Sequence, residues 1–236
     1  MYIAILMANT DESEFASNHP TDDQKFIDIL GSIRPDWVFE AFNVTHNVFP
    51  QSLNIFDGII ITGSPASAND KDLWVSSLIN IVKKTAQLNI PLFGSCFGHQ
   101  VIAKAFGSEI VKNPDGWSLG LVETNVVRRE TWMNGLETNT LLYSAHTEQV
   151  AEVPNGAELL FKSEGCDVAG FTLGNNIFTT QYHPEMREDF VNALIIELEN
   201  DLEKKVIKKA FSSMKMSAHT LNFSEAIAQF FEHNVE

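Results

Sequence analysis

Ile90-Pro91-Leu92-Phe93-Gly94-Ser95-Cys96-Phe97-Gly98-His99-Gln100-Val101-Ile102 is the stretch on which the fold turns. Residues 90–95 form a short apolar run that reads as a buried strand, and 97–106 read as a helix closed by Gly107. Between them, Gly94-Ser95-Cys96-Phe97-Gly98 has the form Gly-x-nucleophile-x-Gly, in the strand-to-helix setting that this form requires. A side chain at so tight a turn adopts a strained backbone conformation, and flanking glycines remove Cβ atoms that would clash there. The expected result is a thiol held above the C-terminal edge of a sheet, where ligands of such folds bind. The first turn of the helix leaves unpaired N–H groups and a partial positive charge, and both favour thiolate over thiol at Cys96.

Upstream, the same rhythm repeats. Strands are expected at 2–8, 37–44 and 56–63, and helices at 22–30 and 73–88. Thr21 is placed to cap the first helix and Gly31 to stop it, while Leu73, Trp74, Leu78, Ile81 and Val82 share a face of the second. Strand alternating with helix predicts a parallel sheet covered on both faces, a doubly wound α/β fold. Downstream the pattern changes. Short strands at 109–111, 120–127, 141–144, 158–163, 168–173 and 177–182, separated by turn residues, predict a mixed or antiparallel extension of that sheet. Residues 187–209 read as one helix and 223–231 as a last one. The expected organisation is a domain over 1–190 and a helical extension over 191–236 packed on it.

A chain of 236 residues with 44% hydrophobic and 20% charged residues can bury a full core. Its net charge of −15 argues against nucleic acid or an anionic membrane as partner, since both carry the same sign. Two cysteines make no disulfide framework and suit a reducing cytoplasm. The apolar start, Met1 to Met7, lacks a basic leader and reads as a first strand, and no apolar run is long enough to span a bilayer.

A cysteine nucleophile needs a base and something to orient that base. In Thr180-Gln181-Tyr182-His183-Pro184-Glu185, His183 follows an apolar strand and Pro184 biases it toward extended backbone. Residues two apart then point to one side, so Glu185 can reach the His183 ring. His99, three residues beyond Cys96, is a competing base, although a structural role for it is the stronger expectation. His146 is a weaker competitor in a polar loop, and His19, His46, His219 and His233 read as surface residues. Cys166 stands in a turn with no motif around it. An oxyanion formed by attack at Cys96 needs N–H donors. Phe97, just after the nucleophile, and Gly63, in the Thr62-Gly63-Ser64-Pro65-Ala66-Ser67 loop, are the candidates. That loop carries no lysine and no phosphate-loop pattern.

Ile61-Thr62-Gly63-Ser64-Pro65, Gly94-Ser95-Cys96-Phe97-Gly98-His99-Gln100 and Tyr182-His183-Pro184-Glu185, in this order, resemble a class I (triad-type) glutamine amidotransferase domain. The resemblance covers roughly residues 1–190. It is nearest to the stand-alone GMP-synthase-like branch that includes plant γ-glutamyl peptidases. It implies a flavodoxin-like core, a Cys96–His183–Glu185 triad and oxyanion donors at Gly63 and Phe97. It places Gln100 in the glutamine pocket, with Ser64 and His146 as further substrate contacts. The implied substrate is glutamine or a γ-glutamyl compound, cleaved without metal or cofactor, with a separate synthetase as partner in the alternative. The family often has Ser-His-x-Asp where this chain has Ala145-His146-Thr147-Glu148, a departure that bears on the fine substrate contacts and not on the triad. Loops 9–20 and 64–72 are expected to line the pocket.

Overall fold

The computed structural model describes residues 1–234. In chain order its elements are β1 (Tyr2–Met7), α1 (Glu14–Ser17), α2 (Asp22–Ile33), β2 (Val38–Asn43), β3 (Gly58–Ile61), α3 (Leu73–Gln87), β4 (Leu92–Ser95) and α4 (Phe97–Ala105). There follow β5 (Ile110–Lys112), β6 (Ser118–Val126), β7 (Asn139–His146), β8 (Glu148–Val150), β9 (Ala157–Ser163), β10 (Cys166–Leu173) and β11 (Ile177–Thr180). The C-terminal helices are α5 (Glu188–Glu197), α6 (Lys204–Ser213) and α7 (Thr220–His233).

Nine strands form one sheet in the order β2-β1-β3-β4-β11-β10-β9-β6-β7. The first five are mutually parallel, and from β11 onward each neighbour is antiparallel. This is the flavodoxin-like, doubly wound arrangement, mainly parallel where the helices cover it and extended by antiparallel strands. A second, two-stranded sheet pairs β5 with β8.

Alternation along β1 divides the core. Ala4 and Leu6 face Leu78, Val82, Val101 and Ile102 of α3 and α4. Ile3 and Ile5 face Phe26 and Leu30 of α2 and Phe223, Ile227 and Phe231 of α7. The C-terminal helix therefore covers a face of the parallel sheet. A third cluster joins Leu119 and Leu121 of β6 to Val191 and Ile195 of α5 and Ile207 and Ala210 of α6.

Three expectations need correction. Residues 187–209 are not one helix, because α5 ends at Glu197 and α6 starts at Lys204. Glu199-Asn200-Asp201 lies in the gap, and Asn and Asp side chains compete for backbone hydrogen bonds and weaken a helix interior. Gly31 does not stop α2, which runs on to Ile33, and a Cβ at Gly31 would meet nothing. Cys166 is not in a turn but is the first residue of β10, buried in the core. Among the described residues, no helix is long and apolar enough to cross a membrane.

Candidate active site

Cys96 joins β4 to α4 with φ 51° and ψ −105°, a left-handed-side conformation rare for a residue with a Cβ. Such strain costs on the order of 1–3 kcal/mol and persists only where the surroundings over-determine it. Here the Cys96 N–H donates to Thr180 O at 2.9 Å, and Cys96 O accepts from Gln100 N–H at 3.0 Å. A Cβ on Gly94 would lie 2.7 Å from the Gly98 carbonyl carbon, and one on Gly98 would overlap Ile61 O. The two glycines thus serve the close seating of α4 on β3 and β4, as well as the turn itself.

His183 lies just beyond β11, with its N–H donating to Tyr143 O of β7 at 2.9 Å. Its Nδ1 is 2.7 Å from Glu185 Oε1, and the two residues are 4% and 1% exposed. Burial, the largest influence on the ring, disfavours its charged form. Glu185 and then Cys96 outweigh it and hold the His183 imidazole well above its ordinary value. That shift favours the protonated ring, with Nδ1–H donating to Glu185. The far oxygen of Glu185 lies 3.3 Å from the Ser95 hydroxyl.

The other histidines differ. His99 is fully buried, with Nδ1 2.9 Å from Thr179 Oγ1, and burial pushes it down to about 3. It is a neutral, structural ring. His146 has Nδ1 3.0 Å from Glu148 O, and burial and the charge on His183 push it down to about 4. His46 and His233 are exposed. His19 and His219 are half-buried, the first against the Phe190 ring and the second bonded to Leu141, so they are not plain surface residues. Among the described residues, His183 alone of the histidines pairs with a buried carboxylate. Burial pushes the Cys166 thiol up to about 12, leaving it unreactive near neutrality.

Gly63 follows β3 and packs against both reacting groups. A Cβ there would lie 2.8 Å from His183 Cε1 and 3.7 Å from Cys96 Cβ. Thr62 Oγ1 accepts from Ala8 N–H at 2.9 Å and donates to Gly63 O at 3.1 Å, which fixes the loop. Phe97 opens α4, so its N–H is one of the first-turn donors without a helical partner. The Phe97 ring is locked under Trp74, with centroids 5.4 Å apart.

A cavity of about 230 Å³ opens on Cys96, and Gln100, Ser64 and His146 line it with Trp117 and Glu148. Of the two loops expected around it, residues 64–67 contribute and 9–20 do not. Loop 9–20 folds away onto α2 and α5, where Phe15 packs on Phe190 at 5.8 Å and encloses a separate cavity. Glu148 carries the one carboxylate of the Cys96 cavity, and its Oε2 accepts from Ser67 Oγ at 2.6 Å. Trp117 also lines a larger groove of about 600 Å³ between β6 and α6.

Sequence reasoning missed Gln181. It is fully buried, and its Nε2 lies 3.6 Å from Cys96 Sγ. Its place just before the Tyr182-His183 pair was the only local signal.

The profile described as glutamine amidotransferase class-I matches residues 38–198. Gamma-glutamyl peptidase 3 of Arabidopsis thaliana is 28% identical over 200 residues, covering 80% of each chain. The glutamine-hydrolyzing GMP synthase of Sulfolobus acidocaldarius has a subunit that is 32% identical over 149 residues, 63% of this chain and 77% of that one. The crystal structure of a glutamine amidotransferase from Thermotoga maritima is similar at a TM-score of 0.78 and 17% identity, covering 100% of this chain and 97% of that one.

Proposed function

The chain belongs to the class I glutamine amidotransferase family, and from that premise we propose that it hydrolyses the γ-glutamyl amide of glutamine or of a γ-glutamyl conjugate through a thioester on Cys96. The observation that carries the proposal is the buried His183–Glu185 pair, 2.7 Å apart, set beside a strained cysteine at the strand-to-helix turn. Cys96 Sγ attacks the γ-carbonyl carbon, and the carbonyl oxygen takes the negative charge. The Phe97 and Gly63 N–H groups receive that charge, and loss of one such donor typically costs about 2.7–4 kcal/mol. The His183 imidazolium gives its proton to the departing nitrogen as the C–N bond breaks, releasing ammonia or an amine. Neutral His183 then takes a proton from water as its oxygen attacks the thioester. Glutamate leaves, and the proton restores the imidazolium–thiolate pair. Glu185 secures the ring tautomer throughout.

The cavity of about 230 Å³ suits a glutamyl group, and Glu148 offers its α-ammonium an opposite charge. The larger groove beyond Trp117 leaves room for a substrate bigger than glutamine, which favours a conjugate. We read residues 1–190 as the amidotransferase domain and 191–236 as an extension packed on it, working in a reducing cytoplasm that suits two free cysteines. The test is glutamate release from glutamine and from a panel of γ-glutamyl peptides, with Cys96→Ser as control. We expect release by the wild type on at least one substrate, at least 100-fold above the variant (on the order of the loss when a nucleophile is removed). Wild-type rates no greater than the variant's on every substrate would overturn the reading.

The similarity to a GMP synthase subunit favours one alternative, a glutaminase that delivers ammonia to a separate synthetase. That reading expects a synthetase to co-purify with the native protein and to raise its glutaminase rate. Full activity of the isolated monomer counts against it.

A further inference from the structure

We infer that Gln181, oriented by Gln100, is the hydrogen-bond donor that positions the Cys96 sulfur and stabilises its negative charge. The inference rests on the reading of Cys96 as nucleophile. Gln181 follows β11, fully buried, with its backbone N–H donating to Ala169 O at 2.8 Å. Its side chain bridges two groups, with Nε2 3.6 Å from Cys96 Sγ and Oε1 3.3 Å from Gln100 Nε2.

A carboxamide can be turned end for end, so its orientation needs an anchor outside the pair. That anchor is the Glu148 backbone carbonyl, which can only accept, 2.8 Å from Gln100 Nε2. Gln100 must therefore present its NH₂ group there. The second hydrogen of that group points to Gln181, which must present its oxygen in return. The NH₂ of Gln181 is then left facing the sulfur. Reversing either amide would bring two acceptors, or two donors, face to face between buried side chains.

A donor to the charged form of a titrating group favours that form. Gln181 therefore acts on the thiolate in the same sense as the first turn of α4. Gln100 has both amide hydrogens committed to protein, so its nitrogen is not free to bind substrate. Through that nitrogen it holds Gln181, as a positioning residue once removed.

The test uses alkylation of Cys96 by iodoacetamide in the full chain, read at that residue by peptide mass spectrometry across pH. It needs no substrate. The other titratable groups around the sulfur are His183 with Glu185, Glu148 across the cavity, and at longer range His146, Tyr182 and Cys166, all unchanged in the variants. Gln181→Met, which keeps the length and loses the donor, is expected to slow alkylation about tenfold near pH ~6, the order of effect of a hydrogen bond to a charged group. The gap should close as pH rises. Gln100→Leu should show the same pH-dependent loss, smaller in size, and it keeps the test open if the buried variant fails to fold. Profiles that superimpose on the wild type, or a slowing equal at every pH, overturn the relay. A wild-type Cys96 that does not react even near pH ~9 instead overturns the nucleophile reading beneath it.

Discussion

Glu185 lies two residues from His183, and that spacing in an extended stretch is visible in the primary structure. So is the glycine frame around Cys96. Both are local patterns, and the pairing at 2.7 Å follows from them. Ser95 and Gln181 were not legible in the same way. Ser95 meets Glu185 across 90 positions of chain, and Gln181 meets Cys96 across 85, through the pairing of β4 with β11. A buried serine or glutamine has no chemical signature until its neighbour across the sheet is known. The protonation of His183 can be tested at this scale. Burial favours the neutral ring, and the carboxylate of Glu185 is the first of the influences that reverse it. Under the proposed mechanism the imidazolium is the acid that releases the amine. Because its value is raised, activity should persist through neutral pH and fall only as pH climbs past that raised value. In Glu185→Gln the first of the raising influences is lost while burial remains, so the ring loses its proton at lower pH and the alkaline fall should move down. A drop in kcat on the order of 10²–10⁴-fold should accompany it, the range of a positioned acid–base group. A pH–rate profile of kcat/KM for the two proteins checks both, and an alkaline limb unmoved in the variant would contradict the assignment.

The junction of β4 and α4 works as one element, because the strain at Cys96 is held by the contact of helix with strand rather than by the turn alone. Gly98 sits where α4 meets the backbone of Ile61 in β3, and a Cβ there would overlap a carbonyl oxygen that has no flexible end to move. Gly98→Ala should therefore lift α4 from the sheet. Overpacking of this kind typically costs about 1–3 kcal/mol. It should also displace the N–H of Phe97 and slow any reaction that uses it. The melting temperature and the rate of glutamate release, measured on the same preparation, should both fall, and an unchanged melting temperature would contradict this account of the glycine. The elements around the junction were the most legible, because apolar runs of period two and amphipathic helices of period 3.6 alternate there without interruption. The break between α5 and α6 was hidden because Leu198 and Leu202 continue the apolar spacing through it, and both pack against the third cluster. β8 was hidden for the opposite reason. It is three residues long and exists by pairing with β5, from Ile110↔Val150 to Lys112↔Glu148, so no periodicity of its own announces it.

At the scale of the molecule, the parallel half of the sheet could be foreseen, but not which of the later strands completes it. β11 lies beside β4 because Phe178 pairs with Phe93, and both rings pack in the face covered by α2 and α7. Phe230 of α7 stands 5.6 Å from the Phe178 ring and 5.3 Å from Trp132. The helix farthest along the chain thus supports the strand that carries His183 at its end. If residues 191–236 are an extension packed on one domain, as proposed, removing a ring from α7 must weaken the whole fold. Phe230→Ala should lower the free energy of unfolding by about 3–5 kcal/mol, as for other buried Phe-to-Ala changes. Against a native stability of roughly 5–15 kcal/mol, that loss is large enough to shift the entire transition. Denaturant unfolding followed by both tryptophan fluorescence and far-ultraviolet circular dichroism should show one coincident transition, moved to lower denaturant. A variant in which helix signal is lost early, while the fluorescence transition stays at its wild-type midpoint, would mean that α7 unfolds as a separate unit. The support it lends to β11, and through β11 to His183, would then have to come from Phe93, Trp132 and Phe161 and from the pairing with β4 and β10.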